Sequence, residues 1–240
     1  MQFNPEEISA LAQADAAAPR MDIYAFIHKA LRAFMADTLV GLGRVDADDD
    51  LQCAQACARV LQLLELCRSH LRHENHFVHP AMERHAPQSS ATVAREHAVH
   101  EQLIDALAAG VAHLQACPGG RRARAAHALY GQLALFVAHN FEHMHQEETA
   151  HNAVLWAHHS DAELAQLEGA IVASIPPEET FVTMRWMLPC LTPAERALVL
   201  GGMQAQAPAP AFAAVLEVLR PHLAPAEWER LMRDLGMAMP

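Results

Sequence analysis

Four stretches of this chain carry apolar residues at helical spacing, and polar or Gly/Pro-rich breaks separate them. Ile23, Ile27, Leu31, Phe34 and Met35 predict a first helix over about 21–42. The run "GLGRVDADDD" ends it, and its aspartates suit the start of the next helix. Leu51, Val60, Leu61, Leu64, Cys67, Leu71 and Phe77 place a second, long helix over about 49–84, with Pro80 expected to kink or break its last turns. Val93, Ile104, Leu107 and Val111 mark a third over 90–116, "CPGG" stops it, and a fourth follows over 122–157. Short connections force neighbours to run opposite ways. The expected fold is therefore all-α, an antiparallel up-down four-helix bundle.

Beyond Ser160 the texture changes to shorter helices punctuated by "IPPEE", "LTPAER", "APAPA" and "LAPAEW". Thr192, Pro193 and Glu195 form a capping-box start. The expected organisation is an N-terminal segment (1–20), the bundle (21–158) and a C-terminal helical region (159–240). That last region reads as an appendage or interface with little in it to do chemistry.

Composition narrows the function. Hydrophobic residues make up 52% and aromatics only 5%, which suits helices. A net charge of −11 argues against nucleic acid or an anionic membrane as the main partner. The small basic run Arg121, Arg122 and Arg124 reads as the polar start of a helix. No stretch approaches the ~20 apolar residues of a membrane span, and the early acids do not resemble a signal peptide. Five scattered cysteines suit buried thiols in a reducing cytoplasm.

Histidine is the candidate chemistry. "SHLRHENHFVHPAMERH", Ser69 to His85, holds five of them, and neutral imidazole is a common metal ligand. With 17 histidines and 28 acids in the chain, His-x3-acid pairs arise by chance, so facing must decide. At about 100° per residue, His70, Glu74 and Phe77 share one face, whereas His76, His79 and Glu83 point away. His79 and Glu83 read as a solvated pair and His73 lies on the flank. On the fourth helix Phe136, Asn140, His143 and Glu147 share a face; His139 shares it too, and His151 sits at its margin. On the third helix His97 lies at the edge of the apolar stripe and His100 nearer its middle. His28 stands at the edge of the first helix's stripe, one turn after Tyr24.

Height points the same way. In a hairpin, two residues at one level are equidistant from the turn. The midpoints of His28 with His70, His97 with His143 and His70 with His97 fall in or near three independently read turns. Substituting His100 for His97 barely moves them. One residue from each helix, plus two carboxylates, converges on one level of the core. Burying two carboxylates without a cation is costly, so the cluster reads as a metal site.

This arrangement resembles the hemerythrin-like, or HHE cation-binding, domain. The resemblance rests on "AFIHKAL" (His28), "SHLRHE" (His70, Glu74), "REHAVH" (His97) and "EHMHQEE" (His143, Glu147), with "NHFVHPAME" similar to the family's aromatic-Pro segment. It covers residues 21 to 158, and "REH" is what favours His97 over His100. It implies a di-iron, non-haem centre, oxo- or hydroxo-bridged, with Glu74 and Glu147 bridging; zinc or manganese suit the same donors. Oxygen-carrying hemerythrins place two histidines four apart on the third helix and an Asp five after the fourth-helix His. Here His97 and His100 are three apart, Glu147 stands at four and Glu148 at five, which argues against simple oxygen storage. A ferritin-like site needs Glu-x-x-His on two helices, but Glu142/His145 and Glu148/His151 lie on one.

The expected function is a di-iron protein that senses or handles O2 or NO, redox state or iron. A di-iron enzyme of peroxidase, NO reductase or oxygenase type, or a structural or storage metal bundle, are the competing readings. A homodimer or protein partner would use the C-terminal helices.

Overall fold

The computed structural model describes Glu6 and residues 20–237, so most of the expected N-terminal segment lies outside the described residues. Four long helices form an antiparallel bundle: α1 (Ala25–Gly43), α2 (Asp50–His73), α4 (Ala91–Ala116) and α5 (Gly119–Gln146). Each packs on its chain neighbour, and α1 against α5 closes the ring. Asp49 caps α2 by accepting from the backbone N–H of Leu51 at 2.9 Å and Gln52 at 3.0 Å. Phe34, Leu63, Leu133 and Val60 lie in the centre without solvent contact. Leu51 and Leu61, expected inside, are exposed, because the stripe of α2 is carried instead by Cys57, Val60, Leu64 and Leu71.

Neither α2 nor α5 ends where its regular helix does. Each passes through one widened π turn, Glu74–Val78 and Glu147–His151, then resumes as α3 (His79–Glu83) and α6 (Asn152–His158). Pro80 therefore does not break the chain's course. The turn ahead of it has already moved from i−4 to i−5 bonding, with the His79 N–H reaching Glu74 O, so the N–H that Pro80 lacks is missed less.

The remaining helices are α7 (Asp161–Ser174), α8 (Pro177–Cys190), α9 (Pro193–Gln206), α10 (Ala209–Leu219) and α11 (Pro225–Asp234). Of these, α7 packs through Leu164 with Tyr24, Val78, Met82 and Leu155, and the other four build a second apolar cluster. It rests on the bundle through α8, which lies along α1. Trp186 stacks on Phe34 at 4.2 Å between ring centres, and Lys29 pairs with Glu195 at 2.7 Å. The expected capping box at Thr192 and Glu195 is present. Arg196 is buried and closes the end of α8 by donating to the carbonyls of Leu188 (2.9 Å) and Leu191 (3.0 Å). Arg196→Ala removes both of these bonds, leaving Leu188 O only the Leu191 N–H, and should cost about 2 kcal/mol, read as a lower urea midpoint. Among the described residues no helix is long and apolar enough to cross a membrane.

Candidate metal centre

The inward faces of α1, α2, α4 and α5 meet at one level near the two π turns. His28 comes from α1, His70 from α2 and His97 from α4, while His143 closes α5. Glu74 and Glu147 are the first residues of the two π turns. A residue four after His70 or His143 lies over the same helical stripe, which brings each carboxylate beside its histidine. His70 Nε2 is 3.2 Å from Glu74 Oε1, and His143 Nε2 is 3.2 Å from Glu147 Oε1.

The helices then cross-connect. Nε2 of His28 lies 3.4 Å from Glu147 Oε2 and 4.0 Å from Glu74 Oε1. Nε2 of His97 lies 3.4 Å from Glu74 Oε2 and 3.5 Å from Glu147 Oε1. The result is two sets of donor atoms, His28, His70, Glu74 and Glu147, and Glu74, His97, His143 and Glu147. Within each set the donors lie within 4.8 Å of one another, and both carboxylates belong to both sets. All six expected residues are thus brought together.

Their partners orient them. His28 Nδ1–H donates to Glu148 at 2.9 Å, His97 Nδ1–H to Asn75 Oδ1 at 2.8 Å and His143 Nδ1–H to Glu96 at 2.8 Å. Each bond turns the Nε2 lone pair inward, the arrangement that a metal-binding imidazole needs. Arg32 holds Glu148 with two bonds, at 2.5 and 2.9 Å. Glu96 follows a different logic from its place in "REH": it precedes His97 but serves His143 on the neighbouring helix. Nothing in the spacing of Asn75, Glu96 or Arg32 points to these roles, because each partner lies on another element.

The electrostatics of the centre call for cations. Burial and the charge of Glu147 push the Glu74 carboxyl well above its ordinary range. Burial also opposes ionisation of Glu147, but the neighbouring His143 and His97 imidazoles hold it well below the usual range. Burial alone would lower His143, yet Glu147 and Glu96 raise it. Nε2 of His28 and His70 and all four carboxylate oxygens are buried with no hydrogen-bond partner. Such atoms are costly unless something else fills their lone pairs. Four imidazoles and two carboxylates fit iron, zinc or manganese.

The rivals lie elsewhere. His100 Nε2 pairs with His139 Nδ1 at 2.6 Å, and neither joins the two sets. Glu148 stands behind His28 instead of between the sets. His76 is exposed as expected, His85 is exposed as well, and His73 is half-buried against Phe77. His79 is a correction: it is buried, stacked on His97 at 5.0 Å, and not a solvated partner of Glu83. Glu83 instead accepts from Ser90 and Gln88 at the start of α4. The π turn rotated every residue after it away from a regular helix's phase, which also leaves Phe77 half-buried and Val78 buried. His151 is buried too, and Tyr24 reaches its Nδ1 at 3.2 Å while its ring lies 5.2 Å from that of His28.

The family profile described as the hemerythrin HHE cation binding domain matches residues 21–155. No curated protein and no solved structure matches the chain. The profile match and the two His/Glu sets together support a metal-binding role of the non-haem iron, oxygen-handling type. This chain belongs to the hemerythrin HHE cation-binding family.

Proposed function

We propose that the protein binds two irons and uses them to sense or handle a small diatomic ligand, O2 or NO. His28 and His70 would hold one metal, His97 and His143 the other, and Glu74 and Glu147 would bridge them. The observation that carries this is the sharing: both carboxylates belong to both donor sets, and all four of their oxygens are buried without a partner. When bound, iron would supply a redox-variable position for the diatomic ligand.

The chain's own part is to orient and to insulate. Glu148, Asn75 and Glu96 fix three imidazoles, and the bundle excludes water from the carboxylates. Glu148→Ala releases His28 and should weaken metal binding about 10- to 100-fold, read by competition with a chelator. Five free cysteines, the Cys67 thiol pushed by burial up to about 12, suit a reducing compartment. A protein partner or second copy would meet the outer C-terminal helices, where Leu198 is exposed.

Metal content and visible absorption test the reading directly. Protein purified anaerobically with iron should hold about two irons per chain and gain a visible band on oxidation. One zinc, or a colourless chain indifferent to oxygen, would sink it and leave a structural metal bundle. Turnover with peroxide or NO would move the reading to an enzyme.

A further inference from the structure

The C-terminal helices do more than lie against the bundle. Between α1, α2, α7 and α8 they enclose a partly open cavity of about 170 Å³. Its walls are largely apolar, with Ile23 just ahead of α1, Ile27 from α1, Leu66 from α2, Ile171 and Val172 from α7, and Met184 from α8. One end is formed by His70 and Glu74. Half of the wall therefore belongs to residues beyond the 21–155 that the family profile matches.

Three observations say what it would take. An apolar cavity of about 150 Å³ stays dry and accepts benzene, so the size fits a small organic molecule. The cavity is also held open: the Phe34–Trp186 stack fixes α8 on α1, the Lys29–Glu195 pair ties the start of α9 to α1, and both resist collapse. Third, its charged lining is acidic, from Glu74, Glu168 and Glu179, with no Lys or Arg among the described lining residues. Glu179 accepts from Ser69 Oγ at 2.5 Å, and burial raises the Glu168 carboxyl. An anion would meet three carboxyls and no ammonium or guanidinium group among the described lining residues.

The cavity also borders the most exposed side chain of the centre. The His70 side chain is 12% exposed, whereas those of His28, Glu74, His97, His143 and Glu147 are 4% exposed or less. We propose that this cavity, built by the C-terminal helices, binds an uncharged apolar organic molecule of about six to eight non-hydrogen atoms, seated against the His70 and Glu74 face of the centre. Its position beside a metal rests on the reading above; its existence as a binding site does not.

Toluene, with benzoate as its charged counterpart, is the test on the metal-free full-length chain. Titration followed by NMR should show saturable toluene binding, with benzoate at least tenfold weaker. Thr180→Trp and Val172→Trp, at half-buried and exposed lining positions, should each weaken toluene at least tenfold while leaving the circular dichroism and the urea midpoint in place. No saturable toluene binding, equal affinity for benzoate, or unchanged affinity in both tryptophan variants overturns the proposal. Toluene binding in a chain that never takes up iron would remove the metal reading alone. Iron uptake without toluene binding would remove only the pocket.

Discussion

Glu147→Ala should empty both metal positions, whereas His70→Ala should empty one. The carboxylate belongs to both donor sets, and the imidazole to only one. Measured by metal analysis after dialysis, iron should fall from about two per chain to near zero in the first variant and to about one in the second. Stability should move with it. At a thousandfold excess over Kd, ferrous ion stabilises a folded chain by about 4 kcal/mol for each site filled, and Glu147→Ala should abolish the gain from both. In the metal-free variant Glu74 loses a buried negative neighbour while His143 and His97 lose the carboxylate they hold. The metal-dependent gain is therefore read as the difference between loaded and metal-free midpoints of each chain. Equal iron loss in the two variants would remove the shared-carboxylate reading.

Acid should unfold the metal-free chain from a higher pH than carboxylate titration alone would set. Burial lowers His70 well below 6.5, His79 to about 4, His100 to about 3, and His151 as well. The sign follows from which state takes the proton. Below about 6.5 the unfolded imidazoles bind protons and the folded ones do not, so stability is lost as pH falls. For His79 the loss runs down to about 4 and for His100 to about 3. Each contributes on the order of a few kcal/mol across its window. Glu74 and His143, both raised, act oppositely and favour the fold at low pH. The four depressed imidazoles outnumber them. Urea midpoints at pH 7, 6 and 5 should fall in that order, and His100→Gln should flatten the trend by about one proton. An unchanged slope in His100→Gln would show that this imidazole is not a source of the loss.

Much of the centre is legible in the sequence. Helical spacing located the four long helices, because a stripe of apolar residues must face a partner to be buried at all. Facing and height together point to His28, His70 and Glu74 and to the His143 and Glu147 face with His139 still a rival on it, since a regular helix carries its phase along the chain. Between His97 and His100 the phase was silent, and the resemblance to a known family chose. The structure supplies the physical difference: His97 meets the carboxylates, and His100 turns to His139.

Phase arithmetic failed past the first π turn. Steps of about 100° put His79 toward solvent, but one widened turn after Glu74 swings it against His97. No local pattern in "ENHFV" marks that turn, because what holds it is the fit of Glu74 and its followers into the bundle. The orienting bonds from Glu96 to His143, Glu148 to His28 and Asn75 to His97 were equally out of reach, each joining residues on different helices.

The C-terminal third shows the same division most plainly. Its capping box and its proline-punctuated helices follow from local chemistry, which acts over three or four residues. That α7 and α8 would wall a cavity ending on His70 does not. Local sequence sets which segments are helical and which side of each is apolar, since those depend on near neighbours. Which atoms of different helices meet, and what space they leave between them, depends on how the whole set packs, and only the folded chain decides that.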